Sequence, residues 1–311
     1  LTSPSSSRVA LKFIRDKRHF DAEQQARGFI RGSTQTMDHI LNVDQYHELP
    51  FDNVITACGA PSWEGQSDEY CVVMPAADKS LLGAINDDYF AGRDVKKVVK
   101  IGQHMAQGLK DLHDLNIAHC DIKPRNVVRV YEGSDILWKL IDFDAASQLA
   151  AVLPRNQKHS SGYVPPEFAC ALSTTGELTT TVVVVPAFDV WSYGVVLFRL
   201  CAGQTLFSLD DSDNLIGSEK QKLKDWTRDK AEDQINTAWN ANTTASDDDK
   251  KKFDTGKSLV LQCLHHDPTK RPTMAQILEH PFLNGKDDEG HWAKIAGQKP
   301  VALHLHATFF I

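Results

Sequence analysis

Between Ala187 and Cys201 the chain is apolar nearly all round. A helix with that pattern has no face to give to water, so other elements must enclose it. Gly203 follows directly and supplies the stop that ends many helices. Enclosing such a helix takes a large core. The 311 residues, 41% of them hydrophobic, suffice for one two-lobed domain or two smaller ones. No apolar run approaches the ~20 residues a membrane-spanning helix requires, and the run Val182 to Val185 is far shorter. No signal-peptide pattern opens the chain. Thirty-four basic residues against 41 acidic ones give a net charge of −7. That balance lacks the basic footprint that displaces counterions from nucleic acid. It also offers nothing to an anionic membrane surface. Neither nucleic acid nor membrane is therefore expected as a partner.

The six cysteines (Cys58, Cys71, Cys120, Cys170, Cys201 and Cys263) form no Cys-x-x-Cys pair, and most sit among apolar residues. Scattered thiols in a long chain read as reduced and buried rather than as a disulfide framework. The expectation is a soluble, cytoplasmic protein.

Residues 1–7 are polar and rich in Ser and Pro and read as a linker. From Arg8 to Ile14 apolar and charged residues alternate, the period of a half-buried strand. Phe20, Glu23, Arg27 and Ile30 recur at helical spacing and predict a helix over about 19–31. Val54–Ala57 and Tyr70–Met74 read as two more strands, the second stopped by Pro75, which has no N–H to donate. After Asp94, the steps of three and four through Val95, Val98, Gly102, Met105, Leu109, Leu112 and Leu115 mark one buried face of a long helix. Short strands are predicted around 126–130 and 137–141. The polar stretch 236–252, ending in Asp247-Asp248-Asp249-Lys250-Lys251-Lys252, reads as an exposed insertion. Helices resume near 255–265 and 273–279, and residues 287–311 carry no readable pattern.

Phosphoryl transfer from a nucleotide needs a cation on the phosphates, oxygen ligands for magnesium, and a group that orients the attacking hydroxyl. The segment His119-Cys120-Asp121-Ile122-Lys123-Pro124-Arg125-Asn126 lies between the long helix and a short strand, a loop held by rigid elements. Asp121 can orient a hydroxyl, Lys123 can neutralise a phosphoryl group, and Asn126 offers an amide oxygen to a hard cation. Asp142, at the end of the next strand in Ile141-Asp142-Phe143-Asp144, is placed to bind magnesium, which prefers oxygen ligands.

The segment 117–126 resembles the catalytic loop of eukaryotic-type protein kinases, His-Arg-Asp-Leu-Lys-Pro-x-Asn, and Asp142-Phe143-Asp144 resembles their Asp-Phe-Gly motif. Further likenesses follow in the family's order. Val9-Ala10-Leu11-Lys12 resembles the strand with the phosphate-binding lysine, and Phe20-Asp21-Ala22-Glu23 the helix whose glutamate pairs with it. Tyr163-Val164-Pro165-Pro166-Glu167 is similar to the end of the activation segment. Asp189-Val190-Trp191-Ser192-Tyr193-Gly194 resembles the central helix. Asp267-Pro268-Thr269-Lys270-Arg271-Pro272 resembles the late loop whose arginine meets that Glu167. The likeness covers about residues 8–283, and the order of the motifs is what makes it specific.

The resemblance implies an α+β fold of two lobes, divided as 1–77 (partial small lobe and hinge), 78–285 (large lobe) and 286–311 (a tail of unassigned role). It implies ATP and Mg2+ as cofactors and a protein as substrate. Lys12 is expected on the α- and β-phosphates with Glu23 holding it, and Asn126 and Asp142 on magnesium. Ala10 and Val128 are expected to sandwich the adenine, with backbone groups of Met74 to Ala77, chiefly Met74 and Ala76, along its edge. Asp121 is the expected catalytic base, assisted by Lys123. Lys123 and Ser160 both point to the Ser/Thr class. Glu167, Arg271 and Asp189 read as structural.

Three departures stand out. No glycine precedes Lys12, so the Gly-rich loop is missing from this chain. Either sequence upstream of Leu1 supplies it or the small lobe lacks its first hairpin. An exposed sheet edge, poor stability and weak nucleotide binding are expected of this piece alone. Cys120 replaces the arginine that pairs with an activation-loop phosphate, so the loop is expected to order without one. Cys120 itself reads as a space-filling thiol, with a reactive one as the alternative. Asp144 replaces glycine, at a cost in backbone freedom or as an extra carboxylate near magnesium. Bland readings accompany the rest. Glu23 can be a solvated helix residue, and His304 with His306 lacks partners for a metal site. Thr255-Gly256-Lys257-Ser258 lacks the earlier glycine of a phosphate loop, and Asn242-Thr243-Thr244 is a glycosylation acceptor only in a secreted protein. The rival to an enzyme is a pseudokinase scaffold that acts through a regulatory partner; a small-molecule kinase is the third reading.

Overall fold

The alternating segment near the start becomes strand β1 (Val9–Ile14), in the computed structural model that describes residues 8–43, 45–47, 70–241 and 247–285. It pairs antiparallel with β3 (Tyr70–Pro75), and β2 (Gln45–His47) flanks the far side of β3, giving the order β1-β3-β2. Pro75 stays in the ladder, opposite Val9, at the strand's very end, where a missing N–H costs least. Helix α1 (Lys17–Gly32) starts at Asp16, whose side chain accepts the Arg18 N–H at 2.9 Å. Its buried residues include Phe20, Glu23, Arg27 and Ile30, the four positions whose spacing predicted it. Phe20 packs with Ile14, Val72, Met74 and Val128 in the small lobe's own cluster. The strand expected at 54–57 lies outside the described residues.

The larger lobe is mainly helical. Short strand β4 (Lys79–Ser80) leads into α2 (Leu81–Asp88), and Asp94 caps α3 (Val95–Asp114) by accepting the Lys97 N–H at 3.0 Å. Beneath the small lobe, β5 (Ile117–Ala118), β6 (Val127–Glu132), β7 (Asp135–Leu140) and β8 (Ser147–Gln148) form two small sheets, ordered β4-β6-β7 and β5-β8. The loops between these strands hold Asp121, Lys123, Asn126 and Asp142. Beyond them, α4 (Pro166–Ala171) closes the activation segment, and α5 (Ala187–Ala202) runs through the middle of the core. Trp191, Tyr193, Val196, Leu197 and Leu200 are all at most 1% exposed, so α5 is enclosed as its composition requires. Gly203 ends it at φ 70°.

In the stretch 236–252, expected to be exposed, Asn236, Thr237, Asn240 and Lys250 to Lys252 are exposed, but the described residues belong to helices. They run from α7 (Arg228–Ala241) into α8 (Asp247–Cys263), with 242–246 outside the described residues. Lys250, Lys251 and Lys252 are exposed, and the same helix buries Phe253, Leu259, Val260 and Cys263 on its inner face. Thr255 to Ser258 lie inside α8, which rules out a phosphate-binding loop there. The lobe finishes with α6 (Glu219–Lys224), α9 (Met274–Leu278) and α10 (Pro281–Asn284) around the same core. Cys120, Cys170 and Cys263 are free thiols. No helix among the described residues is long and apolar enough to cross a membrane.

Candidate active site

Lys12 projects from β1 toward α1, and its Nζ lies 2.9 Å from Glu23 Oε2. Glu23 is fully buried and not a solvated helix residue. Its other oxygen accepts from Arg27 Nε at 2.6 Å, one helical turn away, and Oε2 also accepts the backbone N–H of Phe143 at 2.7 Å. Glu23 thus ties α1 to both Lys12 and the Asp142-Phe143-Asp144 segment. Burial opposes its charge, but Arg27 and Lys12 outweigh that and hold the carboxyl below its ordinary range. Arg27 also covers the Phe143 ring, 4.6 Å from its centroid.

Lys12 Nζ further contacts Asp142 Oδ1 and lies 3.3 Å from Asp144 Oδ2. Burial pulls its pKa down, yet Asp142, Glu23 and Asp144 together raise it above the usual lysine range. Asp142 is likewise held ionised: burial works against it, and Lys12 and Lys158 win. Asp144 moves the other way, raised by burial and by the neighbouring Asp142 charge. Lys158, from the activation segment, reaches both Asp144 oxygens at 2.7 Å and Asp142 Oδ2 at 3.4 Å. The centre holds three carboxylates (Glu23, Asp142, Asp144) against three cations (Lys12, Arg27, Lys158).

The catalytic loop is fixed from below. Asp189 of α5, fully buried, accepts the backbone N–H groups of His119 at 2.8 Å and Cys120 at 2.9 Å, and takes His113 Nε2 at 2.9 Å. These bonds hold Cys120 at φ 61°, a left-handed conformation that L-residues adopt only when their surroundings demand it. Burial raises the Cys120 thiol well above its usual range, helped by the Asp189 and Asp121 charges, so it is a filler of space and not a reactive thiolate. Asp142, and not Asp144, carries the other strained backbone here, at φ 70°.

Around Asp121 the contacts are directional. Asn126 Nδ2 donates to the Asp121 backbone oxygen at 2.8 Å and to Oδ2 at 3.1 Å, while Lys123 Nζ lies 3.2 Å from the same Oδ2. Lys123 also donates to Ser160 Oγ at 2.7 Å, tying the segment that holds Ser160 to the loop. Asp121 Oδ1 is buried and has no partner. A carboxylate oxygen left this way costs stability unless something takes it.

The positions expected to face a nucleotide are less uniformly placed. Val128 is buried in the same cluster as Met74, and Ala10 sits exposed in β1 opposite Met74. The Ala76 N–H donates to Arg8 O at 3.0 Å, so an adenine edge meets that donor already in use. Glu167 and Arg271 form the expected pair, at 2.7 and 2.8 Å. His304 and His306 lie outside the described residues, as does Asn242-Thr243-Thr244. Two residues at the centre escaped sequence reading. Arg27 carried a signal, its i+4 spacing from Glu23. Lys158 carried none, since its partners are 14 and 16 residues away across a folded segment.

Residues 2–283 match the family described as protein kinase domain. A two-lobed α+β fold with these motifs on these elements, matched over most of its length, places the chain in the protein kinase family. Among curated proteins, the dual specificity tyrosine-phosphorylation-regulated kinase 3 of Rattus norvegicus is 27% identical over 316 residues, covering 89% of this chain and 49% of that protein. The ribosomal protein S6 kinase alpha-1 of Mus musculus is 28% identical over 212 residues, 65% of this chain and 25% of that protein. The calcium/calmodulin-dependent protein kinase cmkA of Emericella nidulans is 24% identical over 294 residues, 91% and 58% respectively. The chain spans about half the length of the first of these relatives.

Proposed function

We propose that the domain transfers the γ-phosphoryl group of ATP to Ser or Thr hydroxyls of a protein, with residues 1–77 as small lobe and hinge, 78–285 as large lobe and 286–311 as a tail. The observation that carries this reading is Asp121: Oδ2 is held by Lys123 and Asn126, and Oδ1 is buried without a partner. An acceptor hydroxyl fits that oxygen, donating its proton as it attacks. Lys123 neutralises charge on the transferring group, and its bond to Ser160 keeps the activation segment against the loop.

The donor set suits a hard cation. Asn126 gives both its N–H bonds to Asp121, which turns its amide oxygen away, and Asp142 is ionised. No group of three or more His, Cys, Asp or Glu among the described residues could hold a metal. Magnesium therefore needs the amide of Asn126 and phosphate oxygens beside Asp142. When bound, it supplies charge neutralisation on the phosphates. With charges already balanced three against three, a dication alone leaves the site positive, which favours entry together with an anionic nucleotide. Lys12, kept charged by its carboxylates and oriented by Glu23, is the cation for that nucleotide.

The test is magnesium-dependent transfer of labelled phosphate to protein substrates by the wild-type chain and by Asp121→Asn. Transfer is expected, falling in the variant by on the order of 100-fold or more. Phosphate on tyrosine alone sinks the Ser/Thr assignment. Nucleotide binding with no transfer in either protein favours a scaffold.

A further inference from the structure

Between Asp142 and Glu167 the hydroxyl-bearing side chains are Ser147, Ser160, Ser161 and Tyr163. Ser160, Ser161 and Tyr163, the three next to the catalytic loop, are closed to a regulatory phosphate. Ser160 is 5% exposed and accepts from Lys123. Ser161 is 9% exposed, and its hydroxyl accepts the Leu215 N–H at 2.9 Å. Tyr163 is 3% exposed; Ser147, half-buried, lies in β8 opposite Ala118, 13 residues before Ser160. A phosphate would also find a thiol, Cys120, where an arginine is needed to receive it. Something else must hold this segment.

Lys158 sits 14 residues beyond Asp144, and its ammonium meets both oxygens of that carboxylate at 2.7 Å. The contact closes the segment into a loop joined near its two ends. Asp144 is 6% exposed and Lys158 32%, so the pair is shielded far more than a surface bridge. Gln157, the next residue, repeats the closure: its Nε2 donates to the Ala145 backbone oxygen at 2.9 Å. Two adjacent side chains of the segment's far part thus bind two adjacent residues of its start.

We infer that Asp144 and Lys158 are positioning residues, an internal ion-pair clamp that sets the activation segment for catalysis in place of a loop phosphate. The inference rests on the kinase reading, which gives the segment its purpose. Both departures acquire a reason together. With the clamp present, the arginine before Asp121 is dispensable, and the residue after Phe143 is a carboxylate because Lys158 requires one.

Backbone hydrogen exchange of residues 145–157 in the nucleotide-free full chain, read beside steady-state kinetics, tests it. In Lys158→Met and in Asp144→Asn, exchange there is expected to quicken by on the order of tenfold. In the same variants kcat is expected to fall roughly 10- to 100-fold, with KM for ATP within about twofold of wild type. The double variant is expected to match the worse single one, and Lys158→Arg to restore most of the rate. Phosphatase treatment of the wild type is expected to leave its rate intact. Unchanged exchange with a raised KM for ATP in Lys158→Met assigns the lysine to the nucleotide and overturns the clamp. Additive losses in the double variant, or a rate that phosphatase removes, also overturn it. If exchange responds as expected but the wild type transfers no phosphate, the clamp stands and the enzymatic reading fails.

Discussion

His104 lies against His39, ring centroids 4.3 Å apart, where α3 meets β7. Its Nδ1 accepts the Trp138 N–H at 3.1 Å, and His39 Nδ1 is 3.3 Å from the Trp138 carbonyl. Burial, the His39 ring and Lys100 together push His104 down to about 4. The titratable neighbours on the other side, Asp111 and Asp38, act on His39, whose pKa is lowered by burial. For a histidine depressed in the fold, the unfolded chain takes up the proton first as pH falls. Stability is therefore complete above about 6.5 and declines on acidification toward about 4. Thermal melts between those limits are expected to fall more steeply in the wild type than in His104→Gln, whose amide oxygen still accepts from Trp138. Parallel slopes for the two proteins would falsify the assignment. Residues of this sort were invisible in the sequence. A histidine one position from Met105 on an apolar helix face gives no hint of the second ring, supplied 65 positions earlier by a different segment. The clustering of Lys12 with Asp142 and of Asp121 with Asn126 was legible because the motifs fix both residue type and local spacing.

At the scale of elements, what the pattern shows is the face and not the partner. The spacing in α3 identified its buried side correctly, since that period is set by backbone geometry alone; the alternation in β1 found the strand but no buried side, for Val9 and Ala10 are exposed, Leu11 to Phe13 are half-buried and only Ile14 is buried. In 236–252 charge was read and period was not: six charged residues open α8, which begins eight positions ahead of the helix predicted near 255–265. The contact of α8 with α5 shows the remaining limit. Gly194 reads only as a gap in an apolar helix, yet a Cβ there would stand 2.7 Å from Cys263 Cβ and 3.0 Å from Leu264 Cδ2. The Leu264 methyl can turn aside, but Cys263 Cβ is fixed by its own helix. Gly194→Ala is expected to push α5 and α8 apart and to cost about 1–3 kcal/mol, the usual range for overpacking. The gain in helix propensity over glycine, under about 1 kcal/mol, does not offset it. Chemical denaturation of both proteins checks this, and a variant as stable as wild type shows that the crossing yields easily.

Across the whole molecule, the site depends on contacts between segments far apart in the chain. Asp189 holds the loop 70 residues before it, and Arg271 holds Glu167 from 104 residues beyond. The Arg271 side chain is fully buried. It makes a two-pronged pair with Glu167, donates to the backbone oxygens of His265 at 2.8 Å and Ala187 at 3.0 Å, and stacks 5.1 Å from the Trp191 ring centroid. It therefore joins the activation segment's end, the start of α5 and the turn after α8. Glu167 keeps 35% of its surface, so losing its partner strands a half-wet charge and not a buried one. Arg271→Ala is expected to cost about 3 kcal/mol, the low end for breaking a buried pair, through the abandoned carbonyls and the emptied space over Trp191. Arg271→Lys recovers little, because an ammonium cannot serve the carboxylate with a planar fork and reach both carbonyls as well. Urea titrations should show a lower midpoint with the slope kept if the whole large lobe unfolds as one unit. A reduced slope, with loss confined to residues around Glu167 in hydrogen exchange, would instead mean that Arg271 secures the activation segment alone.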